Sequence, residues 1–228
     1  MIEITPLSAG AGQAMPLRMM TKRGVSAAEA KSVVDKLRPI AARNPNDAFV
    51  QEALAEAEFD AGSPKASLAA AEAALRANPR SVEALVYKGR SLTELAAEGD
   101  KAASFRQARD AYLAANDFDA EDPEPLFLYF LSFVREGKNP TANAIAALHY
   151  ASVLAPQDSG LRTESALAWL YDGKLAKARL ELLPIAFNPH GTDSSEAARA
   201  AIAKIDAEDA KGAIAAVVGA KPDEKAQQ

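Results

Sequence analysis

Two stretches decide the reading of this chain: Ile40-Ala-Ala-Arg-Asn-Pro-Asn-Asp47 and Leu75-Arg-Ala-Asn-Pro-Arg-Ser81. Each is an alanine-rich run that stops at Asn-Pro, and the two stops, Asn44-Pro45 and Asn78-Pro79, lie 34 residues apart. Proline has no backbone N–H and its ring collides with the preceding turn, so a helix that meets one ends there. Between the stops the apolar spacing predicts helices over residues 47–60 and 64–77, joined by Gly62-Ser63-Pro64. Glycine there can end one helix and proline can open the next. The unit is therefore two short helices closed by Asn-Pro.

A fixed period near 34 with two helices per period is the signature of tetratricopeptide repeats. In the second unit Gly89 falls where the first helix must approach the second, with Ala108, Tyr112 and Ala115 at the packing positions. Residues Ala97 to Asp100 and those that follow lengthen this unit by about 7 to 10 residues, moving its stop to Asp122-Pro123, 44 residues after Pro79. The period then returns: Pro123 to Pro156 and Pro156 to Pro189 are each 33 residues. Gly137, Ala144, Leu148 and Ala151 fit the third unit, and Ala166, Trp169, Gly173, Ala178 and Leu182 the fourth.

The expected fold is all-α: an α-solenoid of about four tetratricopeptide-like hairpins at residues 47–78, 81–119, 123–155 and 158–188, with an N-terminal helix and a C-terminal capping helix. The N-terminal helix opens on a capping box, Ser26 with Glu29, and carries Val33, Val34, Leu37, Ile40 and Ala41 on one face, with Pro39 as a point of bending. The cap spans 194–218, with Ala198, Ala201, Ile202 and Ile205 facing inward and a break near Gly212. Residues 1–25 read as a linker or the remnant of an upstream domain: a strand-like Ile2-Glu-Ile-Thr5, then a loop-forming run with Pro6, Gly10, Gly12 and Pro16. The repeat domain occupies 26–218, and 219–228 read as a disordered tail.

Composition narrows the functional classes. With 49% hydrophobic residues the chain can bury a core, and a net charge of −5 provides no basic surface for nucleic acid. There are no cysteines, so disulfides, thiolate chemistry and cysteine-ligated metal are excluded. No apolar run reaches the ~18 to 20 residues of a membrane span, and the N-terminus lacks a signal-peptide pattern. His149 and His190 are the two histidines, and neither sits in a paired metal-binding spacing. No nucleophile elbow or phosphate loop occurs. The expectation is a chain with no catalytic residues, no metal and no cofactor, hence not an enzyme in itself.

A stacked-hairpin fold binds other chains through the concave face lined by the first helix of each repeat. The positions expected there are Phe49, Glu52, Glu56, Phe59 and Asp60, then Glu83, Val86 and Arg90, then Phe127, Leu131 and Arg135, then Leu167, Leu170 and Tyr171. One end of this face is acidic and the other apolar. Positions that in a carboxylate clamp hold cations are here Glu52, Glu56, Tyr87, Glu124 and Leu128, so a free C-terminus is disfavoured as ligand. The expected partner is a protein or peptide segment, apolar with some positive charge. Met15-Pro-Leu-Arg-Met-Met20 has that composition and could dock in cis.

Pro6-Leu7, Met15-Pro-Leu-Arg18, Arg23-Gly-Val25, the repeats, Leu161-Arg162 and Asn188-Pro-His-Gly191 together resemble the C-terminal tetratricopeptide region of an alphaproteobacterial family. That resemblance implies an upstream domain of the zinc-metallopeptidase type, a signal peptide on the precursor, and a periplasmic or secreted location; without it the expected location is cytoplasmic. It makes the chain the accessory module of a larger protein, whose upstream domain could itself be the partner. The alternative it raises is a fragment of a secreted metallopeptidase-like enzyme without its catalytic domain.

Overall fold

The computed structural model describes residues 8–21, 25–189 and 193–219. Among them the chain is entirely helical: α1 (Ala9–Thr21), α2 (Ala27–Arg43), α3 (Ala48–Asp60), α4 (Pro64–Ala77), α5 (Val82–Leu95), α6 (Lys101–Phe118), α7 (Pro123–Glu136), α8 (Ala142–Leu154), α9 (Ser159–Tyr171), α10 (Leu175–Ala186), α11 (Asp193–Asp206) and α12 (Ala210–Val218). The strand-like Ile2–Thr5, His190 and the tail from residue 220 lie outside the described residues.

The stops work as the opening stretches suggested. Asn44 and Asn78 are the C-caps of α2 and α4, and three residues on Asp47 and Ser81 are the N-caps of α3 and α5, each accepting a backbone N–H of the first turn. Proline between the two caps prevents the helices from fusing. Pro123 is different: it is the first residue of α7, behind the N-cap Asp122. Measured between N-caps, the second repeat is 41 residues against 34 for the first, the excess being taken up by a 3₁₀ turn at Ala96–Glu98 and the longer α6. The hairpin turns use Gly62, Gly137 and Gly173 at φ of +75°, +81° and +69°, where a side chain would strain the backbone. The Ser26–Glu29 capping box forms as expected.

The chain divides into two units, residues 1–141 and 142–228. The divide falls in the loop between α7 and α8, inside the third repeat of the sequence reading. In the first unit the core runs in alanine-rich layers: Val33, Leu37, Val50 and Ala53 among α1–α3, Ala55, Ala71 and Tyr87 among α3–α5, and Leu85, Val86, Ala111 and Ala115 around α5 and α6. Gly89 lies so close to α6 that a β-carbon there would overlap the ring of Tyr112.

In the second unit Leu167, Leu170, Leu182, Ile185, Ile202, Ile205 and Val217 share one core drawn from α9 to α12. Pro184 inside α10 cannot donate to the Leu180 carbonyl one turn back. Arg162 on α9 supplies the missing donor: its guanidinium bonds the Leu180 carbonyl at 3.2 Å and adds a bond to the neighbouring Glu181 carbonyl at 3.1 Å.

Two expectations need correction. Residues 9–21, read as loop from their glycines and prolines, form α1: Ser8 caps it through the Ala11 N–H and also donates to Asp47, while Gly10 allows close approach to the Asn44 side chain. The C-terminal cap is a helical pair. Its break is at Glu208, which adopts φ +57°, and Gly212 lies within the first turn of α12, donating to Asp209.

Candidate functional site

Three helices of the first unit, α3, α5 and α7, present side chains in steps of three or four residues on a shared face, as the Cβ directions of a helix require. α3 contributes Glu52, Glu56, Phe59 and Asp60; α5 contributes Glu83, Tyr87, Arg90 and Glu94; α7 contributes Glu124, Phe127, Leu131 and Arg135. Arginines knit this face together. Arg90 pairs with Glu124, and Arg135 with Glu94 at 2.7 Å, so both ends of α7 are tied to the C-terminal half of α5. The Arg90 guanidinium also lies 5.8 Å from the Phe59 ring centre and 5.6 Å from that of Tyr87, which themselves meet edge to face.

The acidic end is occupied. Arg18 of α1, 8% exposed, donates from Nε to Glu56 at 2.9 Å, sits 2.9 Å from Glu83 and 3.5 Å from Glu52, and lies over the Phe49 ring at 5.1 Å. Thr21 adds a hydrogen bond to Glu56. Burial opposes the charge on Arg18, but Glu83, Glu56 and Glu52 together raise its pKa above that of a free guanidinium. Burial raises the pKa of Glu52, against the pull of Ser81 and Arg18. Asp60 is raised by burial and by Glu56, with Arg90 opposing. The expected acidic patch is thus largely compensated from within the chain.

Further along the same face a cavity of about 300 Å³ opens, lined by Phe59, Arg90, Thr93, Glu94, Tyr112, Glu124, Phe127, Leu128, Leu131, Ser132 and Arg135. Its walls combine aromatic and aliphatic carbon with two ion pairs. The Nε of Arg90 is sequestered from solvent and has no acceptor among the described residues. Phe59, Arg90, Phe127, Leu131 and Arg135 were foreseen from helical spacing. Thr93 and Tyr112 were missed as lining residues, Tyr112 because it belongs to a second helix and reaches the face only through the gap left by Gly89.

Three of the expected face residues are placed elsewhere. Val86 is buried with Leu85, Ala111 and Ala115, because α5 packs on α6 along that side. Leu167 and Leu170 are 6% and 2% exposed in the core of the second unit, where α10 to α12 cover them. Tyr171, at the end of α9, is 72% exposed.

The second unit holds a separate polar cluster. His149 on α8 stacks on Trp169 of α9 with ring centres 3.5 Å apart and planes 1° from parallel, and Lys177 lies 4.2 Å from the centre of the Trp169 ring. Ser165 donates to Glu181 at 3.1 Å, so its oxygen is left to accept from His149 Nδ1 at 2.7 Å. That leaves His149 Nε2 as the bare acceptor, buried and without a partner among the described residues. Burial, then Lys177 and Lys174, depress the pKa of this imidazole to about 4. A neutral, stacked ring at this position is a packing element. No group of three or more acidic or histidine side chains among the described residues is arranged to hold a metal ion.

No protein-family model and no curated protein sequence matches the chain. Solved structures do. The fold is that of tetratricopeptide-repeat proteins. PilF of Pseudomonas aeruginosa superposes with a TM-score of 0.68 at 19% identity, over 93% of this chain and 90% of that one. The tetratricopeptide protein TTC0263 of Thermus thermophilus gives 0.63 at 14% identity, over 86% and 99%. YrrB, described as a tetratricopeptide protein with an unusual peptide-binding site, gives 0.58 at 16% identity, over 83% and 94%. At these identities the likeness is one of fold.

Proposed function

We propose that the chain is a non-catalytic protein-interaction module and that its ligand enters the cavity between α5 and α7 as an apolar or aromatic side chain of a peptide segment. The observation that carries this reading is the cavity itself: carbon walls from Phe59, Phe127, Leu128 and Leu131, flanked by the Arg90–Glu124 and Arg135–Glu94 pairs. Such a site favours a large apolar group, and the flanking ion pairs offer polar contacts to a peptide backbone. The peptide-binding description of YrrB supports the class of ligand.

Peptides selected from a random 12-mer library on the wild-type chain test the reading by calorimetry. Leu131→Glu, which puts a charge among Phe59, Phe127 and Leu128, should weaken the selected peptides by about tenfold or more, with helicity unchanged. Peptides indifferent to Leu131→Glu and to Phe127→Ala would exclude the cavity as the ligand site.

The resemblance of the sequence motifs supports a further reading, that this module accompanies a zinc-metallopeptidase-like domain in an extracytoplasmic protein, with that domain as its partner. The genomic sequence preceding Met1 tests it: a signal peptide and a His-Glu-x-x-His motif in frame would support the reading, and an unrelated upstream gene would end it.

A further inference from the structure

The second helices of the hairpins differ in what they show to solvent. In the first unit α4 exposes Lys65, Glu72 and Arg76, and α6 exposes Arg106, Asp110 and Asp117. In the second unit α8 carries no Asp, Glu, Lys or Arg at all. The charges of α10 are used within the chain: Lys177 lies on the Trp169 ring, Arg179 pairs with Asp206 at 2.8 Å, and Glu181 accepts from Ser152 and Ser165.

What α10 and its C-cap leave outward is Ala176, Leu180, Pro184 and Phe187, a row in steps of four, four and three residues. α8 adds Ala146, Tyr150 and Val153, also exposed. The Ser152–Glu181 bond at 3.2 Å, and Arg162 reaching both the Pro156 and the Leu180 carbonyls, hold the end of α8 beside α10, so the two rows form one stripe. Tyr150, Val153, Leu180 and Phe187 are 49%, 67%, 64% and 70% exposed, which amounts to about 500 Å² of mostly apolar surface. Two such stripes face to face bury about 1,000 Å², the size at which a specific interface begins, before any polar rim is counted.

The chemistry of the stripe matches the stripe itself. It has no charge with which to select a partner of opposite sign, and a chain of net charge −5 meets a second copy with least repulsion across a neutral surface. Its relief is also self-complementary, because the α10 row grows from Ala176 at one end to Phe187 at the other. Laid antiparallel on its own copy, the large end falls on the small end, as interlocking helix ridges require.

We infer that the α8/α10 stripe is a homodimer interface, on which a second copy of this chain packs about a two-fold axis with the two α10 helices antiparallel. Each Phe187 then lies over the partner's Ala176, and each Leu180 beside the partner's Pro184. The same patch serves both copies, as a closed two-fold contact demands.

Sedimentation equilibrium of the full chain tests this. The wild type should be dimeric at about 50 µM, and Leu180→Glu or Phe187→Glu should raise the dissociation constant about 100-fold or more, leaving monomer. Both side chains are more than half exposed, so helicity and the urea midpoint should stay at wild-type values. Leu113→Glu, on an exposed position of α6, should leave the dimer intact. A monomeric wild type, a dimer that survives both stripe variants, or one lost with Leu113→Glu would overturn the inference. The chain has no cysteines, so introduced ones report the arrangement without background. On oxidation, Leu180→Cys mixed with Pro184→Cys should form cross-linked dimers faster than either variant alone, and equal rates would refute the antiparallel pairing.

Discussion

Gly89 shows how much a single missing β-carbon does in this fold. Its absence lets the Tyr112 ring lie against α5, and the same ring then reaches the cavity on the far side. Gly89→Leu should separate α5 from α6 and cost about 1 to 3 kcal/mol, read as a lowered urea midpoint with the slope unchanged. A midpoint equal to the parent's would mean that this close approach contributes nothing. His149 makes a second residue-scale prediction. In the folded chain it takes up its proton near pH 4, whereas an unfolded histidine does so near the ordinary value of 6.5. Between those values the unfolded chain binds more protons, so the contribution of this residue is complete above about pH 6.5 and is lost as the pH falls toward 4. The neighbouring charges that act on it are Lys174, Lys177 and Asp172. Urea midpoints should fall between pH 7 and pH 5, and His149→Gln should flatten that fall; an equal fall in the variant would assign it to the carboxylates instead.

At the scale of elements, helix existence was legible wherever a stop and a cap coincide, as at Asn44 with Asp47 and Asn78 with Ser81. It failed for α1, whose glycines and proline score locally as loop. There the neighbours decide: Gly10 is needed for contact with Asn44, and Arg18 for the pocket on α3. No local pattern encodes a contact between residues 18 and 56. Pro184 illustrates the converse. It sits inside α10 because a side chain from α9 restores what proline removes, and Arg162 was visible in the sequence only as part of a family resemblance. Arg162→Met, which keeps the aliphatic stem, should cost about 1 to 3 kcal/mol by leaving the Leu180 and Glu181 carbonyls without these donors. Hydrogen exchange should accelerate in α10 first. Unchanged protection there would show that the helix tolerates the proline unaided.

At the scale of the molecule, the repeat architecture was legible because the period is a property of spacing. The division at residue 141 was not, since α7 and α8 carry the expected repeat residues and nothing in their pattern marks a boundary between them. The candidate face was legible in part: helical spacing finds which residues of one helix share a side, but not which side a second layer will cover, so Val86, Leu167 and Leu170 were assigned to a face and lie in cores. Stacked helical hairpins interact mainly with their neighbours, which makes stability local. Leu182→Ala, at a side chain 1% exposed, should cost about 2 to 5 kcal/mol, with faster exchange in α9 to α12 and none in α2 to α4. Acceleration throughout the chain would mean that both units unfold as one.

The stack of His149 on Trp169 has an optical consequence. Trp169 is the only tryptophan in the sequence, while the tyrosines at 87, 112 and 129 lie in the first unit. Indole emission excited at the red edge therefore reports α8 and α9 alone, and an imidazole in face-to-face contact quenches that emission once it gains a proton. A brightness that drops near pH 4 would follow the titration of one residue, and its recovery in denaturant would time the parting of two helices while the rest of the chain stays dark.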